Sequence, residues 1–166
     1  MKILVAGVGN ILRRDDGFGV EVVNRLGKLT LPADVHLLES GIGGVVLVQE
    51  LQDGYDALIV VDLADHGRPP GTVMLIEPTV RDAASMSDAE RHETLADMHL
   101  ATPQQALVLA QALGVLPPRV LLVGCQPEDA DGIGEELSPV VEAAVGTAVD
   151  EIRRHIDELV AAGDPG

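Results

Sequence analysis

Short apolar runs punctuate this chain at wide intervals. Ile3-Leu4-Val5-Ala6, Val35-His36-Leu37-Leu38, Leu58-Ile59-Val60-Val61, Thr72-Val73-Met74-Leu75-Ile76 and Val120-Leu121-Leu122-Val123 each hold four or five residues with little alternation. Unbroken runs of that length fit strands covered on both faces. Helical spacing fills the gaps. Phe18, Val22, Val23 and Leu26 share a face within Phe18–Leu29, and Gly44–Leu51 predicts a second helix despite its valines. Thr102-Pro103-Gln104-Gln105 starts a third: Thr102 can cap, Pro103 suits the first turn, and Gln105 completes a capping box. That helix stops at Gly114. Ser138-Pro139 opens the last helix, whose stripe is Val141, Val145, Ala148, Val149, Ile152, Ile156, Leu159 and Val160.

The order β-α-β-α-β-β-α-β-α implies an α/β fold, with a mostly parallel sheet and helices on both faces. The connection from Ala64 to Gly71, with Pro69 and Pro70, is too short for a crossover helix, so the fourth strand should be antiparallel. Val80–Asp97 has the weakest pattern, although Ser87-Asp88-Ala89-Glu90 could cap a short helix. The 166 residues suit one domain, expected over 1–160, with 161–166 as a flexible tail.

Composition narrows the function. With 27 acidic against 11 basic residues, the net charge of −16 disfavours nucleic acid and favours a basic partner segment, if it does more than maintain solubility. One cysteine, Cys125, forms neither an internal disulfide nor a Cys-rich zinc site. It follows a buried strand and reads as a small hydrophobe. The first residues break at Gly7 and Asn10, too early for a secretory signal, and no apolar run is long enough for a membrane span. These features point to the cytoplasm.

Ligands in open parallel sheets gather at the carboxyl ends of the strands. The first strand runs into Gly7-Val8-Gly9-Asn10-Ile11-Leu12, a partial dinucleotide turn whose third glycine position is Leu12. Asp15 and Asp16 follow, and carboxylates before a helix suit a cation better than a phosphate. The alternative is that one of them caps the helix. Asp62 ends the third strand, where its carboxyl needs a cation or a nearby backbone N–H. Of the five histidines, His99 lies just before the Thr102 cap, at the same edge; the alternative for it is a solvated loop position. His36 sits in a strand run, His66 in a turn, His92 in the acidic stretch and His155 on the polar side of the last helix. Together, Asp16, Asp62 and His99 form a set suited to a first-row divalent metal, with coordination positions left open for water or substrate. Such a metal polarises a carbonyl or acidifies a bound water. The chain carries no nucleophile elbow, no telling Ser–His spacing and no HExxH helix.

The segment Gly7–Val20 resembles the N-terminal signature of the NiFe-hydrogenase maturation proteases. The resemblance continues through Leu58–Asp62, His99 with Ala106-Leu107, Val123-Gly124-Cys125-Gln126-Pro127-Glu128, and Leu137–Glu142. It implies a three-layer α/β/α sandwich with a five-stranded sheet. It also implies that Asp16, Asp62 and His99 bind a metal, with His92 as the alternative imidazole. The cofactor would be nickel, supplied by the substrate. The partner would be a NiFe-hydrogenase large-subunit precursor, cut just after its last metal-binding motif. The loop Gly41-Ile42-Gly43-Gly44 matches a glycine-bearing segment near the cleft, a place for the substrate strand. A nucleotide-binding module on the Gly7/Gly9 turn and a non-catalytic nickel carrier are the competing readings.

Overall fold

The computed structural model describes residues 1–87, 89–90 and 102–163. Five strands appear where the apolar runs predict them: β1 Ile3–Val8, β2 Val35–Gly41, β3 Ala57–Leu63, β4 Val73–Ile76 and β5 Arg119–Cys125. They form one sheet in the order β2-β1-β3-β5-β4. β1 pairs in parallel with β2 and β3, and β3 pairs in parallel with β5. β4 runs antiparallel to β5, as the short connection before it requires.

The helices are α1 Phe18–Leu26, α2 Gly44–Leu51, α3 Pro103–Ala112 and α4 Pro139–Gly163. α1 ends before the expected Leu29. α4 runs to Gly163, so residues 161–163, expected in the tail, are helical, and 164–166 lie outside the described residues. Alternate residues of the central strands face opposite layers. Ile3, Val5, Ile59 and Val61 pack with α1 and α4, whereas Leu4, Ala6, Leu58 and Val60 pack with α2 and α3. This is the three-layer α/β/α sandwich, built almost wholly from aliphatic side chains. Thr102 and Gln105 form the expected capping box at the start of α3. Ser87 and Glu90 exchange the bonds of another, with Ser87 N donating to Glu90 Oε2 and Glu90 N to Ser87 Oγ. Among the described residues no helix is long and apolar enough to cross a membrane.

Candidate metal-facing site at the carboxyl rim

The turn between β1 and α1 is set by backbone approach. A Cβ at Gly7 would collide with the Gly19 carbonyl, one at Gly19 with the carbonyls of Val61 and Val8, and one at Gly9 with the Asp16 carbonyl. Only glycine lets the start of α1 rest directly on the ends of β1 and β3. These glycines are thus required by close packing of the backbone at the turn.

Residues Arg14–Gly17 form a 3-10 turn, entered by Arg14 at φ 47. The turn sends the two aspartates different ways. Asp15 is fully buried. It accepts bonds from the amides of Glu128 (2.9 Å), Asp129 (2.8 Å) and Ser138 (2.6 Å) and from the Ser138 hydroxyl (3.0 Å). Burial works to raise its pKa, but the bonds from Asp129, Ser138 and Glu128 prevail and lower it. Asp16 is half-buried, and its Oδ2 accepts from the Asn10 amide at 3.0 Å. Neither aspartate caps α1, which has no side-chain cap, so the capping alternative fails.

Asp62 sits in register with Gly124 near the end of β3. It is half-buried, and its Oδ1 accepts from the Leu63 amide at 2.7 Å. Burial pushes its carboxyl up to about 7; the Leu63 bond opposes this, and the charge of Asp16 adds to it. Asp16 therefore lies near enough to Asp62, at the same end of the sheet, for its charge to act on that carboxyl. A cavity of ≈ 400 Å³ opens beside Asp62 among the described residues, lined by Val60, His66, Ile76, Thr102 and Leu122. A larger one, ≈ 490 Å³, lies at the opposite end of the sheet around Ala57 and Arg119, away from both carboxylates.

The glycine loop lies on the other side of the Asp16 turn. Gly41 takes φ 59, and its carbonyl accepts from Gly9 N at 3.0 Å, tying the loop to the β1 exit. Ser40 Oγ donates to the Gly43 carbonyl at 3.1 Å, and Gly44 begins α2. Ile42 is 53% exposed and borders a groove of ≈ 260 Å³ with Gly9, Asn10, Ile11 and Glu39.

His99 and His92 lie outside the described residues. Among the described residues no three His, Cys, Asp or Glu side chains come together to hold a metal ion. His66 lines the Asp62 cavity, His36 stacks edge-on against Tyr55 on the outer strand, and His155 lies 3.7 Å from Glu158. Cys125 is fully buried, and its thiol is pushed up to about 12 by burial, with the charge of Asp15 adding to it.

The sequence of this chain matches the hydrogenase maturation protease family over residues 20–155. The chain belongs to that family. It is 35% identical over 160 residues to the hydrogenase expression/formation protein HupD of Rhodobacter capsulatus, covering 93% of this chain and 71% of that protein. The hydrogenase 2 maturation peptidase from Thaumarchaeota archaeon SCGC_AB-539-E09 superposes with a TM-score of 0.69 at 35% identity, covering 94% of this chain and 98% of the other. The hydrogenase maturating endopeptidase HybD of E. coli superposes with a TM-score of 0.75 at 28% identity, covering 95% and 93%. The five-stranded, mostly parallel sheet is therefore the fold of the hydrogenase maturation proteases.

Two residues with structural weight at this rim were not singled out from the sequence. Asp15 enters the sequence reading only as an alternative helix cap, while Asp16 is placed in the ligand set. Gln126, 6% exposed, anchors the loop after Asp62. A polar residue directly after a buried strand is the signal that marked Asp62, and Gln126 carries the same signal at the end of β5.

Proposed function

We propose that this chain removes the C-terminal extension from the nickel-loaded precursor of a NiFe-hydrogenase large subunit, using the nickel that the precursor carries. The observation behind this reading is the state of Asp62. Its carboxyl is driven towards the neutral form by burial and by Asp16, and its one hydrogen bond among the described residues comes from the adjacent amide. A divalent cation entering with the substrate relieves both the burial and the repulsion, because an opposite charge nearby favours the ionised carboxylates. Carboxylate oxygens from Asp16 and Asp62, an imidazole from His99 and no thiolate form a donor set that suits nickel. The groove at Ile42 and the cavity at Asp62 flank this pair and offer room for the strand on either side of the cut.

Cleavage adds water across one amide bond: the oxygen goes to the carbonyl carbon and a proton to the leaving nitrogen. A protein thiol is a poor alternative to water, since Cys125 is buried and its thiol is raised far above neutrality. A nearby divalent ion polarises the carbonyl or acidifies the water. Asp16 and Asp62 would hold such an ion at the scissile bond.

The test is to mix the purified chain with nickel-loaded and nickel-free precursor and weigh the large subunit. The expected result is loss of the C-terminal mass from the loaded precursor only, and no loss with Asp16→Asn or Asp62→Asn. Equal cutting of the nickel-free precursor would overturn the role of nickel. Normal processing by both variants would overturn the site.

A further inference from the structure

Among the described residues the buried polar side chains are Asp15, Ser40, Gln126 and Ser138. Two of these four, Gln126 and Ser138, lie in the segment between β5 and α4, and a third, Asp15, is bonded by that segment. Burying polar groups is unfavourable unless each finds a partner, so their concentration around one loop requires an explanation. Gln126 Oε1 accepts from the amides of His66 (2.8 Å) and Arg68 (3.1 Å), and its Nε2 donates to Asp65 Oδ1 (2.8 Å). Its own backbone bonds Gly71 N and Thr72 O. Gln126 thus grips the chain that follows Asp62. Further along the same loop, the amides of Glu128, Asp129 and Ser138 grip Asp15, the neighbour of Asp16. Arg14 N donates to Gly134 O, and Gly134 N to Leu12 O, fixing the rest of that turn.

The geometry points to residues 126–138 as a brace that sets the separation of Asp16 and Asp62, with Gln126 and Asp15 as positioning residues for the cleavage proposed above. The brace holds both aspartate-bearing connections from behind and leaves the Asp16 and Asp62 carboxylates facing the rim. Two carboxylates that repel each other drift apart unless their backbones are held, and a misplacement of about 1 Å at a reacting centre can cost on the order of 100-fold in rate.

The experiment compares wild type, Gln126→Glu, Asp65→Ala and the pair Gln126→Glu/Asp65→Asn with nickel-loaded precursor, alongside amide exchange across residues 63–68. Gln126→Glu keeps an acceptor for His66 and Arg68 but turns the Asp65 contact into a repulsion. The pair restores a donor and an acceptor with their roles exchanged. The expected result is a fall in kcat of about 10-fold or more for Gln126→Glu with KM changed less than the kcat, faster exchange across residues 63–68, and recovery of both in the pair. Asp65 is exposed, so Asp65→Ala keeps the fold and tests the same contact should Gln126→Glu fail to fold. Folded Gln126→Glu or Asp65→Ala with wild-type kcat overturns the brace, as does a fall in kcat that the pair does not recover. A wild-type chain that leaves the loaded precursor uncut overturns the functional reading itself.

Discussion

Replacing Asp62 by asparagine should make the protein more stable while it destroys tail removal. The carboxyl moves from 3.8 to about 7 on folding, so the folded state holds its proton more tightly than the unfolded chain does. A raised carboxyl pKa means that stability falls as pH rises from about 4 to about 7 and stays low above that. The full difference corresponds to about 4 kcal/mol. Solvent reaches Asp62 in part, which reduces the gain to about 2–4 kcal/mol. The Asp62→Asn substitution removes the charge yet keeps a side-chain oxygen for the Leu63 amide. In urea unfolding of metal-free protein at pH 8, the variant should therefore exceed wild type by about 2–4 kcal/mol, a rise of roughly 5–15 °C in Tm for a chain of this size. Below about pH 3.8, where Asp62 is protonated in the folded and unfolded states alike, the two should converge. A variant less stable than wild type at pH 8, or a gap that does not close on acidification, would refute the assignment of Asp62 as a charge held ready for a cation.

Three other outcomes follow from the same contacts. Gly19→Ala drives a Cβ into the carbonyls of Val61 and Val8 and should lower unfolding free energy by about 1–3 kcal/mol, with loss of processing; an unchanged urea midpoint would contradict the packing role of the glycine. Cys125→Ala should leave processing intact, and cleavage lost in a folded variant would show that the thiol takes part. Thr102→Ala removes the α3 cap and should cost about 1 kcal/mol, read in the same urea titration.

The strands were legible because a continuous aliphatic run has few other places to go, and the antiparallel β4 because a connection from Ala64 to Gly71 cannot hold a helix. The order β2-β1-β3-β5-β4 was not legible, since nothing in a run such as Val120–Val123 states which run it pairs with. At the rim, Asp62 could be read from its place after four aliphatic residues. Asp16 was placed in the ligand set, but the buried role of Asp15 was not legible, because the 3-10 turn and the left-handed Arg14 decide which carboxyl points inward. Gln126 stayed hidden for a different reason: its side-chain partners are Asp65, His66 and Arg68, some 60 positions away in sequence. The glycines of the first turn resemble a phosphate loop in sequence and prove to be close-contact positions, Gly7 for α1 and Gly9 for the 3-10 turn before it.

The contrast between Asp15 and Asp62 shows that one rim holds both a fully satisfied carboxylate and an undersatisfied one. Asp15 is more deeply buried, yet three amides and a hydroxyl keep it ionised, so its folded pKa lies below the usual carboxylate value and its contribution to stability is lost only as the pH falls through that lowered value. Asp62 has one amide and a repelling neighbour, so it is left undersatisfied. Adding donors around Asp62 would stabilise the free protein and remove its demand for a cation. On the functional reading proposed above, that unmet demand gives the enzyme a reason to bind a nickel-loaded precursor more tightly than an empty one. The backbone satisfaction spent on Asp15 keeps the turn beside it from collapsing while the demand at Asp62 goes unmet.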